Sequence, residues 1–238
     1  PPRSTLFPYT TLFRSPETSS AYKRYRRHFL RRDSISFSIL MVLFILFNLL
    51  LFKADARIWP SGPVHDWLVA LRCLYIISSL MAVIALFYTK RPEVFDRWTL
   101  GWGLMLALTN NLVILSRPDS YTGNTMPELV AIIAMFAVMP DRMPHRILPS
   151  LFLAAGSLTL LFTVKVLPEP VALLSLLFAY LFALIMGFWV SQVFFGYRRE
   201  AFVAREELEE AHRETSLSEQ QYRVVLTIHA IQFVVRQG

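Results

Sequence analysis

Arg72, in the run WLVALRCLYIISSL, is the one ionisable side chain well inside an apolar segment. A charge in such a place is costly, and it marks a ligand contact, an ion path or a buried pair. It lies about a turn and a half past Trp67, so two roles are open to it. Its guanidinium can reach outward to lipid headgroups. Alternatively, it can hold an anion or a polar ligand in a cavity at that end of a helical bundle. Glu128 and Asp119 fall on the same side of the predicted topology and could pair with it. Asn110 and Asn111, adjacent in LTNNLVIL, project about 100° apart on a helix, so one can bond a neighbouring helix while the other faces elsewhere. Bonding between helices is the ordinary role of amides in spans, and Asn48 and Gln192 read in the same way. Arg72, Asn110, Asn111 and Glu128 are the candidates for a ligand or signal site.

Other chemistries find no residues to carry them. The apolar runs hold no Ser/His/Asp grouping, no Gly-rich phosphate loop and no paired carboxylates. His28, His65, His145, His212 and His229 all lie outside those runs, which argues against a haem or metal held in the membrane. The single cysteine, Cys73, rules out an intrachain disulfide and a Cys-cluster metal site, and its apolar context predicts a buried, inert thiol. No catalytic residue and no cofactor are expected in this stretch.

The elements that position these residues follow from composition. Of the 238 residues 55% are hydrophobic and only 17% are charged, and the mean hydropathy is +0.45. That balance, with the charges clustered, predicts an all-α polytopic membrane protein whose partner is the lipid bilayer. The net charge of +7 sits beside the apolar runs, where it sets topology, so nucleic acid is not an expected partner. Six spans are predicted: 35–52, 67–88, 98–116, 125–139, 147–164 and 171–195, the fourth being short for a bilayer core. Thirteen Lys and Arg fall in 21–34, 89–97, 140–146 and 196–200, against Lys53, Arg57, Arg117 and Lys165 in the alternate loops. The positive-inside rule then places both ends of the six-helix bundle in the cytoplasm. Trp59, Trp67 and Trp98 fall at predicted interfaces. The connections are short, which leaves the membrane, its surface or a shallow outer cavity as the place where a signal is met. No internal repeat stands out, and Gly101, Gly103 and Pro149 are weak helix breakers, so a transporter is the second reading and a passive anchor the third.

Beyond the last span, residues 196–215 are rich in Glu, Arg and Ala, which favour helix. Arg205 and Glu209, and Glu209 and Arg213, are i,i+4 pairs. Val203/Ala204, Leu208, Ala211 and Thr215 form a thin apolar seam near heptad spacing. That pattern suits a solvated helix or a parallel dimer helix that continues the sixth span as a signalling helix. Ser216 or Ser218 could cap a further short helix, and IQFVVR (231–236) is β-branched and aromatic, which predicts a strand before Gln237-Gly238.

The run Leu217-Ser218-Glu219-Gln220-Gln221-Tyr222-Arg223-Val224-Val225 resembles the opening helix of PAS domains, with its Ser-Glu-x-x-Tyr-Arg pattern. Residues 229–238 resemble the first PAS strand and turn, without the Asp-Gly pair common before that strand. The whole layout is similar to bacterial membrane-associated sensor regions, in which a multi-span input feeds a helix, then PAS, then an output domain. The resemblance implies a bacterial inner (cytoplasmic) membrane, homodimerisation through the helix and an output that is a diguanylate cyclase, a cyclic-di-GMP phosphodiesterase or a histidine kinase. No GGDEF-type loop, EAL-type motif or kinase phospho-acceptor is present, and His212 in EEAHRET reads as an exposed helical residue. The start of the chain is of another kind. A DNA string that resembles a sequencing-library adapter translates to every residue from Pro1 to Ser15, so PPRSTLFPYTTLFRS is set apart as not native. The expected organisation is 1–15 adapter-derived, 16–34 a basic cytoplasmic segment, 35–195 the membrane sensor domain, 196–215 the signalling helix and 216–238 a truncated α+β PAS-like start.

Overall fold

The structure, a computed structural model, describes residues 20–118, 125–140, 142–165 and 170–237. Among them every regular element is a helix: α1 (Ser20–Ile58), α2 (Pro63–Tyr88), α3 (Pro92–Ser116), α4 (Thr125–Val138), α5 (Met143–Thr163) and α6 (Pro170–Gln237). The chain divides into two units, Pro1–Phe195 and Gly196–Gly238.

Proline and glycine set the boundaries. Gly62 has φ 111°, a left-handed conformation that any Cβ would strain, and it turns the chain from α1 into Pro63 at the start of α2. Pro92 opens α3, and α3 stops at Ser116, just before Arg117-Pro118. No Gly or Pro interrupts 20–58, so the basic stretch before the first span is helical and continuous with it. At about 1.5 Å per residue, this 39-residue helix is roughly 58 Å long, nearly twice a bilayer core of about 30 Å.

The first unit is inverted relative to a soluble protein. Its outer surface carries Leu43, Leu50, Leu74, Ile77, Met81, Phe87 and many more large apolar side chains, while Asp55, Arg72, Asp96, Arg117, Glu128 and Arg146 are buried. Among the described residues five helices are long and apolar enough to cross a membrane. Helices are the fitting solution there, because each satisfies its own backbone polar groups. The six-span count, whose fourth member is already short in the sequence, is not met among the described residues: α4 has 14 residues and so extends only about 21 Å. Cys73 is also corrected: it is exposed on the outer face of α2, beside Leu74 and Ile77.

Side-chain contacts give the order of packing. Trp102 on α3 stands at the centre, with Phe37 and Phe44 of α1 edge-on to it at centroid distances of 5.3 and 5.7 Å. Its Nε1–H donates to Ser79 Oγ of α2 at 3.0 Å. α3 and α5 share the most extensive helix–helix interface, in parallel register. Gly103 lies against Pro149, where a Cβ would come within 3.0 Å of the proline ring, and about two turns further on along both helices Gly156 lies against Asn111. Small residues thus let the two backbones approach, and Gly103 makes the room that Pro149 needs inside a helix. α4 runs the opposite way, from Glu128 opposite Asn110 to Met139 opposite Gly103. Phe188 of α6 meets Phe136 of α4 edge-on at 6.5 Å, and Gly187 gives Phe136 its space.

The C-terminal stretch corrects two expectations. Residues 231–236 are helical, not a strand, and neither Ser216 nor Ser218 begins a new helix; Ser216 Oγ instead donates back to the Arg213 carbonyl at 2.8 Å. No Gly or Pro occurs between Gly196 and Gly238. With no breaker, the weak β-preference of IQFVVR does not end a helix already under way. An α+β start therefore finds no strand among the described residues.

Candidate functional site

Two buried polar clusters meet at the end of the first unit where α1 ends and α2 begins. The hub of the first is Asp55. Its carboxylate takes the Nε and Nη2 of Arg72, the latter at 3.2 Å, and also Nη2 of Arg117. Arg72 Nη1 donates to Asn48 Oδ1 at 2.7 Å, and Asn48 Nδ2 donates in turn to the Phe44 carbonyl at 2.9 Å. Lys165 Nζ donates to the carbonyl of Arg117. Asp55, Arg72 and Arg117 are 1%, 2% and 3% exposed, so each charge relies on the others in place of water.

Arg72 therefore does not reach out to headgroups. It also does not pair with Glu128, and Asp119 lies outside the described residues. Its partner Asp55 escaped the sequence reading because the predicted first span stopped at Phe52, while α1 continues to Ile58. A signal was present in the spacing: Met41, Asn48 and Asp55 recur every seven residues, and all three are buried on one stripe of α1. Arg117 and Lys165 were placed in outer loops by composition, yet they fold inward.

The second cluster is built around Glu128 on α4. Its carboxylate accepts from Asn110 Nδ2 at 2.8 Å and from the hydroxyl of Tyr180 on α6. Next to it, Ser157 Oγ of α5 donates to Asn111 Oδ1 at 3.1 Å. Asn110 and Asn111 thus bond different neighbours, α4 and α5, as their angular separation on α3 requires. Among the described residues no cation forms a salt bridge with Glu128, which is 2% exposed. Its carboxyl is held by neutral donors alone.

A cavity of about 40 Å³ lies between the clusters, and Asn48, Arg72, Thr109, Asn110 and Glu128 give it polar walls. Phe44, Tyr75 and Leu106 close the rest. One water needs about 10–15 Å³ of such space, so the cavity has room for a few waters or a small ion and for no organic solute. It brings Arg72, Asn110 and Glu128 to one place; Asn111 stands behind it. Leu208, Ala211 and Thr215 belong to the other unit. There they are exposed, Leu208 to 71%, and Thr215 Oγ1 donates to the Ala211 carbonyl at 2.9 Å.

The lining of the cavity, among the described residues, holds no histidine and no cysteine. Among the described residues no three His, Cys, Asp or Glu side chains converge as metal ligands would. Its chemistry is that of a coupled electrostatic network, in which protonation, hydration or ion entry at the cavity alters bonds to several helices at once. No protein family, no curated protein and no solved structure matches this chain.

Proposed function

We propose that residues 35–195 are the sensory input region of a bacterial signal-transduction protein of the cytoplasmic membrane. The observation that carries this reading is the bond from Tyr180 to Glu128. It ties α6 to the buried polar network, and α6 is the helix whose sequence runs on through 196–237. A change at the cavity that releases Glu128 from Tyr180 would alter the hold on α6, and a stiff helix carries such a change along its axis. In this reading α4 counts as the fourth crossing, its short length met by local thinning of the bilayer or by packing inside the bundle. Both ends then lie in the cytoplasm, as the thirteen-to-four distribution of basic residues supports. Two chains pair through the seam of Leu208, Ala211 and Thr215. The output, a cyclase, phosphodiesterase or kinase, rests on the resemblance of the layout. Its PAS element rests on residues 217–225 alone, since 231–236 are helical.

The test is cysteine cross-linking in membranes. Cys73 is replaced by Ala, and single cysteines are placed at Leu208, Ala211 or Thr215. Oxidation should give dimers with a positional pattern, and Glu128→Gln or Tyr180→Phe should shift that pattern. A pattern blind to both substitutions would remove the relay, and no cross-link at any of the three positions would remove the dimer. The polar cavity favours passage of protons or a small ion as the second reading. Flux into liposomes that is lost in Glu128→Gln would support it over the sensor.

A further inference from the structure

The opposite end of the first unit carries a second polar site that the sensor reading does not use. A pocket of about 460 Å³ lies among the first turns of α1, the α2–α3 link and the start of α5. It is lined by six cationic side chains, Lys23, Arg26, Arg27, Lys90, Arg91 and Arg142, against two carboxylates, Glu93 and Asp96. Its wall is built. Arg26 pairs with Asp96, and it stands 3.7 Å from Asp33. Arg142 Nε lies 3.4 Å from the other oxygen of Asp96. Arg26 is 4% exposed and Asp96 is 1% exposed, so the base of the pocket is fixed by a buried ion pair between α1 and α3, with the partly exposed Arg142 joining it from the start of α5. The rim differs. Lys23, Arg27, Lys90 and Arg91 are exposed, and among the described residues no carboxylate forms a salt bridge with any of them.

Six cations against two carboxylates leave an excess of four positive charges around one concavity, which attracts an anion. The local backbone adds to the attraction. α3 starts at this rim with no side-chain cap, as does α5 after Arg142, so the positive ends of two helix dipoles lie at the pocket, although Pro92 and Pro144 supply no N–H there. The volume falls in the range of small-ligand sites. The depth is that of headgroups: exposed Phe87 and Tyr88 end α2 immediately before Lys90, and exposed Trp98 lies between one and two turns into α3. Such aromatic rings mark the boundary between hydrocarbon and headgroups.

We propose that this pocket binds a phosphate group, presented by the headgroup of an anionic phospholipid. Arg26 and Arg142, fixed by Asp96, form its back wall, and Lys23, Arg27, Lys90 and Arg91 close on the phosphate from the rim. The proposal stands whether or not the chain is a sensor, because it rests on charge, volume and depth alone.

The experiment is native mass spectrometry of the full chain in mild detergent, titrated with dioleoyl phosphatidylglycerol and, separately, dioleoyl phosphatidylcholine. Phosphatidylglycerol should be retained and phosphatidylcholine should not. Lys90→Gln with Arg91→Gln should weaken retention about 25-fold, at about five-fold for each charge removed near a membrane surface. Lys53→Gln with Arg57→Gln, at the other end of the bundle, should change nothing. Both pairs avoid the Arg26–Asp96 wall, and matched thermal unfolding of the variants checks that the bundle is intact. Equal retention of the two lipids, or equal loss in both double variants, would overturn the proposal. Thermal protection by millimolar inorganic phosphate with none by phosphatidylglycerol would overturn the lipid as the source of the phosphate.

Discussion

Asp55 is the residue whose removal tests the buried network most sharply. Its carboxylate is the shared partner of Arg72 and Arg117, and all three side chains have almost no access to solvent. Asp55→Asn keeps the shape and removes the charge, which leaves two guanidiniums buried without a counter-ion. Breaking a buried pair in this way costs about 3–5 kcal/mol, because the remaining charge has lost both water and partner. For a domain of this size that corresponds to a fall in Tm of about 6–20 °C. Arg72→Met alone should cost less, because Arg117 still neutralises Asp55. Asp55→Leu combined with Arg72→Met and Arg117→Met should recover most of the loss, since an apolar replacement of a whole buried ionic cluster is close to neutral. The assay is thermal unfolding of the purified chain in one detergent at fixed ionic strength. A cost below about 1 kcal/mol for Asp55→Asn, the value of a solvated surface pair, would refute the burial on which this reasoning depends.

Three further outcomes follow from the packing. Gly156→Ala should destabilise by about 1–3 kcal/mol, because its Cβ would fall on the Asn111 side chain, whereas Gly101→Ala, with open space around it, should be neutral or slightly stabilising; equal effects in thermal unfolding would contradict the α3–α5 register. Trp102→Phe should cost about 1–3 kcal/mol by leaving the buried Ser79 hydroxyl without its indole donor, and Ser79→Ala added to Trp102→Phe should cost little more. On the exposed helix, Glu209→Ala removes a solvated i,i+4 pair with Arg205 and should change stability by less than about 0.5 kcal/mol; a larger effect would mean that Glu209 is buried in an assembly.

Much of the fold was legible because the membrane imposes length and hydropathy on each helix separately. Apolar runs, Pro and Gly at the breaks and clustered Lys and Arg are local properties, and they located the apolar part of each helix of the first unit, although α1 begins at Ser20 and α3 at Pro92, well before the predicted spans. The errors were local as well. The first span was cut at Phe52 because Lys53, Asp55 and Arg57 looked like a loop, although a helix longer than the bilayer core carries charges past its apolar stretch without breaking. Residues 231–236 were read as strand from side-chain type, although no breaker separates them from the helix behind.

By itself the sequence determined that charges are few and clustered outside the apolar runs, that its helices are apolar enough to face lipid, and that Arg72, Asn110, Asn111 and Glu128 stand out as polar groups in an apolar setting. Only the tertiary structure decided what those groups touch. Arg72 meets Asp55 across 17 residues, Arg117 meets Asp55 across 62, and Tyr180 meets Glu128 across 52. Local periodicity puts Asp55 on the buried stripe of α1 but names none of these partners, because helix register fixes only which face a residue is on. Which face meets which was settled by close packing, at contacts such as Gly103 on Pro149 and Gly156 on Asn111, where one added carbon would force the helices apart.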